Sequence, residues 1–206
     1  MCTFKEYSLN KANLVKASKS FAKSFVEDPL YIYLLEGVSE KEEFLTQFFY
    51  WYLNAEKNVC KLYSMDNSFD VLMLIYFPKE DIHKVRNFVF KGIFMIKSLK
   101  IIKYYNIFVY KKFLKIIMKM NSDWLLKLGH NNYIHLDLLS VNKKNRNKGF
   151  GDKCIEFLKQ LGKDKICTLE TQNIENVKYY RKRGFCEIEN ISLKGTNINQ
   201  YCMIYK

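Results

Sequence analysis

Arg146-Asn147-Lys148-Gly149-Phe150-Gly151 is the stretch whose residue types and spacing point most directly to chemistry. An apolar-rich run, Tyr133 to Val141, precedes it. Asp152 to Leu161 follows, with apolar residues at 154, 155, 158 and 161, the helical period. The spacing predicts strand, loop, helix. Both glycines then fall at the helix start, where backbone N–H groups have no intrahelical partner. A position without a Cβ lets a bulky anion come close to the backbone, and the helix dipole favours negative charge there. The chemistry is that of a cradle for a pyrophosphate-like group.

Two kinds of cradle do not fit. A P-loop ends in Gly-Lys-Ser/Thr, and here Gly151 is followed by Asp152. A dinucleotide fingerprint needs Gly-x-Gly-x-x-Gly/Ala directly after a strand. Here the third position is Cys154, and seven residues separate Val141 from Gly149. Glu170 stands about where a ribose-binding acid would, but the 55 residues after Gly151 are too few for the rest of such a sheet.

The hexapeptide instead follows Arg/Gln-x-x-Gly-x-Gly/Ala and resembles the acetyl-CoA pyrophosphate loop of the GNAT superfamily of N-acetyltransferases. A second motif strengthens the resemblance. Residues 168–185 carry Leu169-Glu170-Thr171, then Asn173, Asn176-Val177, Tyr179-Tyr180 and Gly184-Phe185. This succession is similar to the strand–helix–strand pattern of the same superfamily, at its usual distance after the glycine loop. Together the motifs cover roughly residues 133 to 185.

The resemblance implies an α/β (α+β) fold with a mixed, mostly antiparallel sheet of about six to seven strands flanked by helices. It implies a single domain over 1–206, with a helical insertion at about 79–131 and a cofactor core at about 132–190. The implied activity is transfer of an acetyl group from acetyl-CoA to the primary amine of a small molecule or peptide. The backbone of Leu139, Ser140 and Val141 would face the pantetheine arm and the acetyl oxygen. Arg146, Asn147, Lys148, Gly149, Phe150, Gly151 and Asp152 would hold the pyrophosphate. Asn176 matches the asparagine that reaches the cofactor arm, and Tyr180 the tyrosine near the sulfur.

Acetyl transfer asks for a polarised carbonyl, an amine that loses a proton and a thiolate that gains one. A phenol with pKa ~10 suits the last task and makes Tyr180 the candidate acid. For the base, His135 on the strand before the loop has an unperturbed pKa ~6.5. Glu170 and Asp137 compete for the role, and Glu170 would also suit a cationic acceptor. No His, Cys or Asp cluster has metal-ligand spacing, so no metal is expected. A non-catalytic CoA-binding regulatory module on the same fold is the alternative, because fold does not fix function.

The elements that must position these groups are legible along the chain. Of the residues, 49% are hydrophobic and 16% aromatic, which excludes disorder, and two prolines leave little room for a linker. The net charge of +13 comes from dispersed lysines rather than a basic arm. It favours CoA phosphates, and no nucleic-acid partner is expected. The six cysteines form no Cys-x-x-Cys and read as reduced thiols of a cytoplasmic protein. There is no signal pattern and no apolar run approaching ~18 residues, so no membrane partner is expected. A monomer or homodimer is expected.

Residues 3–8 read as a first strand, and Asn10 as the cap of a helix with its stripe at Leu14, Ser18, Phe21, Ala22 and Phe25. Asp28-Pro29 breaks that helix beside the acceptor side implied by the resemblance. Leu45, Phe48, Phe49, Tyr52 and Leu53 mark a second helix. Residues 59–65 and 69–77 pair across Asp66-Asn67-Ser68, the second strand apolar almost throughout and so interior to the sheet. Two amphipathic helices are expected in 79–131. One has its stripe at Val85 to Leu99, the other at Tyr105, Phe108, Val109, Phe113, Ile116, Ile117 and Met120. Both are expected to pack on the sheet rather than lie on lipid. Residues 132–141 and 166–171 are the next strands, and 185–192 with 200–205 a closing antiparallel pair.

Overall fold

The computed structural model describes residues 4–78, 107–117, 120, 122–128, 132–193 and 195–206. β1 (Lys5–Tyr7) leads into α1 (Lys11–Phe25). The Asn10 side chain caps α1 by accepting the Asn13 N–H at 2.9 Å. Leu14, Ala17, Ser18, Phe21 and Ala22 form its buried stripe.

At Asp28-Pro29 the chain does not simply stop being helical. α2 (Pro29–Leu34) restarts there, with Pro29 in the first turn, where its missing N–H costs nothing. The Asp28 carboxylate accepts the Leu30 N–H at 3.0 Å. The residue that ends one helix therefore caps the next. α3 (Lys41–Glu56) buries Phe44, Leu45, Phe48, Phe49 and Leu53.

β2 (Cys60–Ser64) and β3 (Val71–Tyr76) form the predicted hairpin. Its turn is held by Asp66, whose carboxylate accepts from the N–H groups of Ser68 and Phe69 and from the Ser68 hydroxyl. All six residues of β3 are buried. Leu72, Leu74 and Tyr76 enter one core, and Val71, Met73 and Ile75 the other. Both faces of this strand are covered, which is why its sequence does not alternate.

Of the two helices expected in 79–131, the one with its stripe at Val85 to Leu99 lies outside the described residues. The other is α4 (Ile107–Ile117). Its Phe113 ring meets Phe44 and Phe48 edge-on, at 5.0 and 5.1 Å between centroids. Phe108, expected in the stripe, is 75% exposed, and Tyr110 is buried instead. The helical turn explains this: residues 110, 113 and 117 share a side, and position 108 lies about 200° away from 110. A 3₁₀ turn, Asp123–Leu128, then buries Trp124 and Leu125.

β4 (Tyr133–Val141), α5 (Phe150–Leu161), β5 (Ile166–Thr171), α6 (Ile174–Arg181), β6 (Cys186–Ser192) and β7 (Asn199–Tyr205) complete the order. Gly184, in the left-handed conformation at φ +83°, follows α6, and the Phe185 N–H returns to the Tyr180 carbonyl at 3.1 Å. The seven strands run β1-β2-β3-β4-β5-β7-β6. Among the described residues only β4 and β5 pair in parallel, joined through α5. α1 to α4 cover one face of the sheet, and α5 and α6 the other. This is the mixed, mostly antiparallel sheet expected from the sequence.

Candidate active site

The site begins where two parallel strands separate. β4 pairs with β5 from Tyr133 opposite Ile166 as far as Leu136 opposite Leu169. Beyond that point β4 keeps only β3, and β5 keeps only β7. The register with β3 shifts between Leu74 and Ile75, which makes Asp137 the extra residue of a bulge. The Asn142 N–H bonds the Asp70 carbonyl at 2.8 Å. By the alternation of an antiparallel ladder, Ser140 then turns its backbone groups to β3, while Leu139 and Val141 turn theirs into the gap. The Val141 carbonyl accordingly accepts from Arg146 Nε at 3.4 Å.

A cavity of about 700 Å³ opens at this gap. Leu139 and Val141 form its floor, and Arg146, Asn147 and the residues Gly149 to Asp152 one wall. Asn176 and Tyr180 of α6 face them, and Ser24, Phe25, Glu27 and Asp28 close the end nearest α1. Ten of the twelve residues expected at the cofactor thus share one space. Ser140 and Lys148 are the exceptions. Ser140 is buried on the other side of β4, its hydroxyl donating to Ser24 Oγ at 2.6 Å. Lys148 points to solvent.

The two glycines of the loop do different things. Gly149 has φ +76°, and nothing lies within 4 Å of where its Cβ would sit. That open approach, beside the partnerless N–H groups of the first turn of α5, fits a diphosphate. At Gly151 a Cβ would come within 2.5 Å of the Tyr179 hydroxyl. Glycine there also leaves room for the Tyr179 hydroxyl at the helix start. Asp152 is likewise engaged from within the protein. Its carboxylate accepts from Tyr179 Oη at 2.9 Å and from Arg183 Nε at 2.6 Å, and Arg183 first and Tyr179 next hold it below the usual carboxylate range. The Arg183 guanidinium lies 3.4 Å from the Tyr179 ring centroid. Arg183 lines the cavity as well, a residue not singled out from the sequence.

Tyr180 is 7% exposed and packs against Phe185 at 5.8 Å. Burial, and secondarily Cys154, pushes its phenol well above its ordinary pKa, so it keeps its proton at neutral pH. Asn173 caps α6 by accepting the Glu175 N–H at 3.0 Å, and Asn176 Nδ2 donates to Thr171 Oγ1 at 3.4 Å.

His135 and Glu170 do not line the cavity. His135 is 2% exposed, with Nδ1 2.9 Å from Thr168 Oγ1. The Thr168 hydroxyl also lies 3.0 Å from the Ile134 carbonyl, so the ring is tied into the β4–β5 ladder rather than aimed at the cavity. Glu170 accepts from the Trp124 indole N–H, and Asp137 from the Tyr52 hydroxyl at 2.6 Å. The carboxylates that do line the cavity are Glu27, Asp28 and Asp152, and of these Asp28 is neither exposed nor ion-paired among the described residues. Burial raises its pKa, against the lowering by the Leu30 N–H. The sequence signal for it is the Asp28-Pro29 break itself.

Residues 116–185 match the model of the Acetyltransferase (GNAT) family. No curated protein matches the chain. Among solved structures, a histone acetyltransferase HPA2-related acetyltransferase from Corynebacterium glutamicum is similar to it. That structure has a TM-score of 0.61 and 14% identity, covering 98% of this chain and 94% of the other. A mosquito arylalkylamine N-acetyltransferase-like protein has a TM-score of 0.56 and 13% identity, over 98% of this chain and 99% of its own. The polyamine N-acetyltransferase of Drosophila melanogaster has a TM-score of 0.55 and 10% identity, over 98% of both chains. The likeness is one of fold.

Proposed function

We propose that this chain, a GNAT-fold protein whose segment 116–185 matches the acetyltransferase family, transfers an acetyl group from acetyl-CoA to a primary amine. The observation that carries the proposal is the cavity at the β4–β5 gap. One space holds the start of α5, the turned-in backbone of Leu139 and Val141, the protonated phenol of Tyr180 and the carboxyl of Asp28. Acetyl-CoA would supply an activated acyl thioester. The residues Arg146 to Asp152 at the start of α5 would hold its diphosphate, and Asn176 its arm. An N–H of the β4 edge, at Leu139 or Val141, would meet the negative charge that develops on the acetyl oxygen. That group has no β5 partner, so a ligand accepting there is a net gain.

Asp28 is the base in this proposal, in place of His135 or Glu170. A carboxyl whose pKa burial raises is a better proton acceptor from an ammonium than an exposed one. Tyr180 is the acid that returns a proton to the departing thiolate. The lining also pairs an aromatic ring, Phe25, with this carboxyl, which suits a cationic acceptor with an apolar body.

The test is turnover. The chain is incubated with acetyl-CoA and a panel of small primary amines and peptide amines, and released thiol is measured. Release that depends on an amine supports the proposal. Tight CoA binding without release across the panel would support the non-catalytic binding module instead.

A further inference from the structure

The cations facing the cavity already have partners. Arg146 Nη1 lies 3.2 Å from Glu27 Oε2, and its Nη2 donates to the Ser24 carbonyl at 3.1 Å. Lys143 Nζ reaches the other Glu27 oxygen at 2.7 Å. On the opposite wall Arg183 is paired with Asp152. Two arginines and three carboxylates, Glu27, Asp28 and Asp152, line the space, so it has no surplus positive charge to offer. A diphosphate entering at Gly149 meets an Arg146 whose charge is already shared with the Glu27 carboxylate, so the two anions compete for it. The Ser24 carbonyl belongs to α1 and is fixed. Glu27 is exposed, stands on the turn between two helices and keeps Lys143 as a partner if Arg146 leaves it.

We propose that Glu27 is a placeholder anion that holds Arg146 at the cavity mouth until a diphosphate replaces it. The inference rests on the acetyl-CoA reading above. It assigns Glu27 a role opposite to that of a binding residue: it competes with the ligand for one cation. It also ties the two ends of the cavity together. The turn held by Arg146 is the one that carries Asp28, so the exchange loosens the link between the phosphate loop and the residue proposed to meet the acceptor.

The experiment is calorimetry on the full chain with CoA and with pantetheine, which has the same arm but no diphosphate. Glu27→Gln keeps size and polarity at an exposed position, and an unchanged melting temperature verifies its fold. The expected result is roughly two- to fivefold tighter CoA binding, the range set by losing an exposed ion pair, with pantetheine affinity unchanged. In an Arg146→Gln background the same Glu27 substitution should have no effect. Equal or weaker CoA binding by Glu27→Gln, or parallel tightening of pantetheine, would overturn the inference. Failure of the unaltered chain to bind CoA would overturn the acetyltransferase reading and this inference with it. CoA binding that ignores the substitution overturns this inference alone.

Discussion

Replacing Tyr180 by Phe separates its chemistry from its packing. The ring sits 5.3 Å from Tyr179 and 5.8 Å from Phe185 by centroid, and phenylalanine keeps both contacts. The variant should therefore stay within about 0.5 kcal/mol of the parent, or ~1–2 °C in melting temperature for a domain of this size. The catalytic cost should be far larger. A positioned general acid contributes typically ~10²–10⁴-fold. The lower end is expected here, because a thiolate with conjugate-acid pKa ~8.5 can also leave unprotonated. A fall in kcat of about 10²-fold corresponds to about 2.7 kcal/mol of transition-state stabilisation. The acetyl-CoA dissociation constant should change less than about twofold, since the hydroxyl is asked to act on charge that appears only in the transition state. Because burial raises the phenol pKa, the parent should show no alkaline loss from this group below about pH 10. Single-turnover thiol release, with an acceptor found in the amine panel, isolates the chemical step. An unchanged single-turnover rate would refute the assignment and leave Tyr180 a packing residue.

Three further outcomes follow from the same geometry. Asp28→Asn should keep the α2 cap, because asparagine caps as well as aspartate, yet lower kcat/KM by about 10²-fold. The parent should lose activity as pH falls through the Asp28 pKa, which burial sets above the ordinary carboxylate value, and the variant should lack that limb in a pH–rate profile. Gly149→Ala puts a Cβ on a residue at φ +76°, which costs roughly 1–2 kcal/mol and about 2–8 °C in a thermal melt. Gly149→Asp should in addition abolish CoA binding by calorimetry, and retained affinity would show the cradle to be misplaced. Burial pushes the Cys154 thiol up to about 12 and the Cys167 thiol up to about 11, while Cys186 is exposed. Their thiolate fractions stay small at pH 8, so peptide mapping after brief native alkylation should find Cys186 modified and those two intact.

Short-range signals carried most of the fold into the sequence. Asn10 as a cap, Asp66 as a turn residue and Gly184 after α6 each act through bonds that span at most five positions. Such bonds can be read from a local string. The end of β4, the glycine loop and the residues of α6 are equally local, and ten of the residues expected there line the cavity. What could not be read are relations between distant segments. The pairing of Arg146 with Glu27 and of Arg183 with Asp152 joins residues far apart in the chain. Nor does the sequence say that Gly151 serves Tyr179, which is a crossing of two helices. Phe108 departs from the expected stripe for a simpler reason. An apolar residue on a helix with apolar residues all round its first turn gives no phase, and only packing against Phe44 and Phe48 sets one.

The proposed base shows how one inserted residue can reverse a functional reading. On an unbroken strand the period is two, so His135, Asp137, Leu139 and Val141 share a face. Read that way, a histidine on β4 stands on the face of the residues proposed to lie along the acetyl group. The structure breaks this parity at Asp137. Ile134 and Leu136 enter the core under α5 and α6, and so do Leu139 and Val141, because the bulge spends one residue between them. His135 keeps to the other face, beside Trp124 at 6.4 Å, and bonds Thr168. The same bulge lies where β4 and β5 part, the point beyond which β4 no longer pairs with β5. The feature that opens the cavity is thus also the one that turns His135 away from it. A carboxylate must then reach the cavity from elsewhere in the chain. The turn between α1 and α2 does this: Asp28 caps α2 with one carboxylate oxygen on the Leu30 N–H and also lines the cavity.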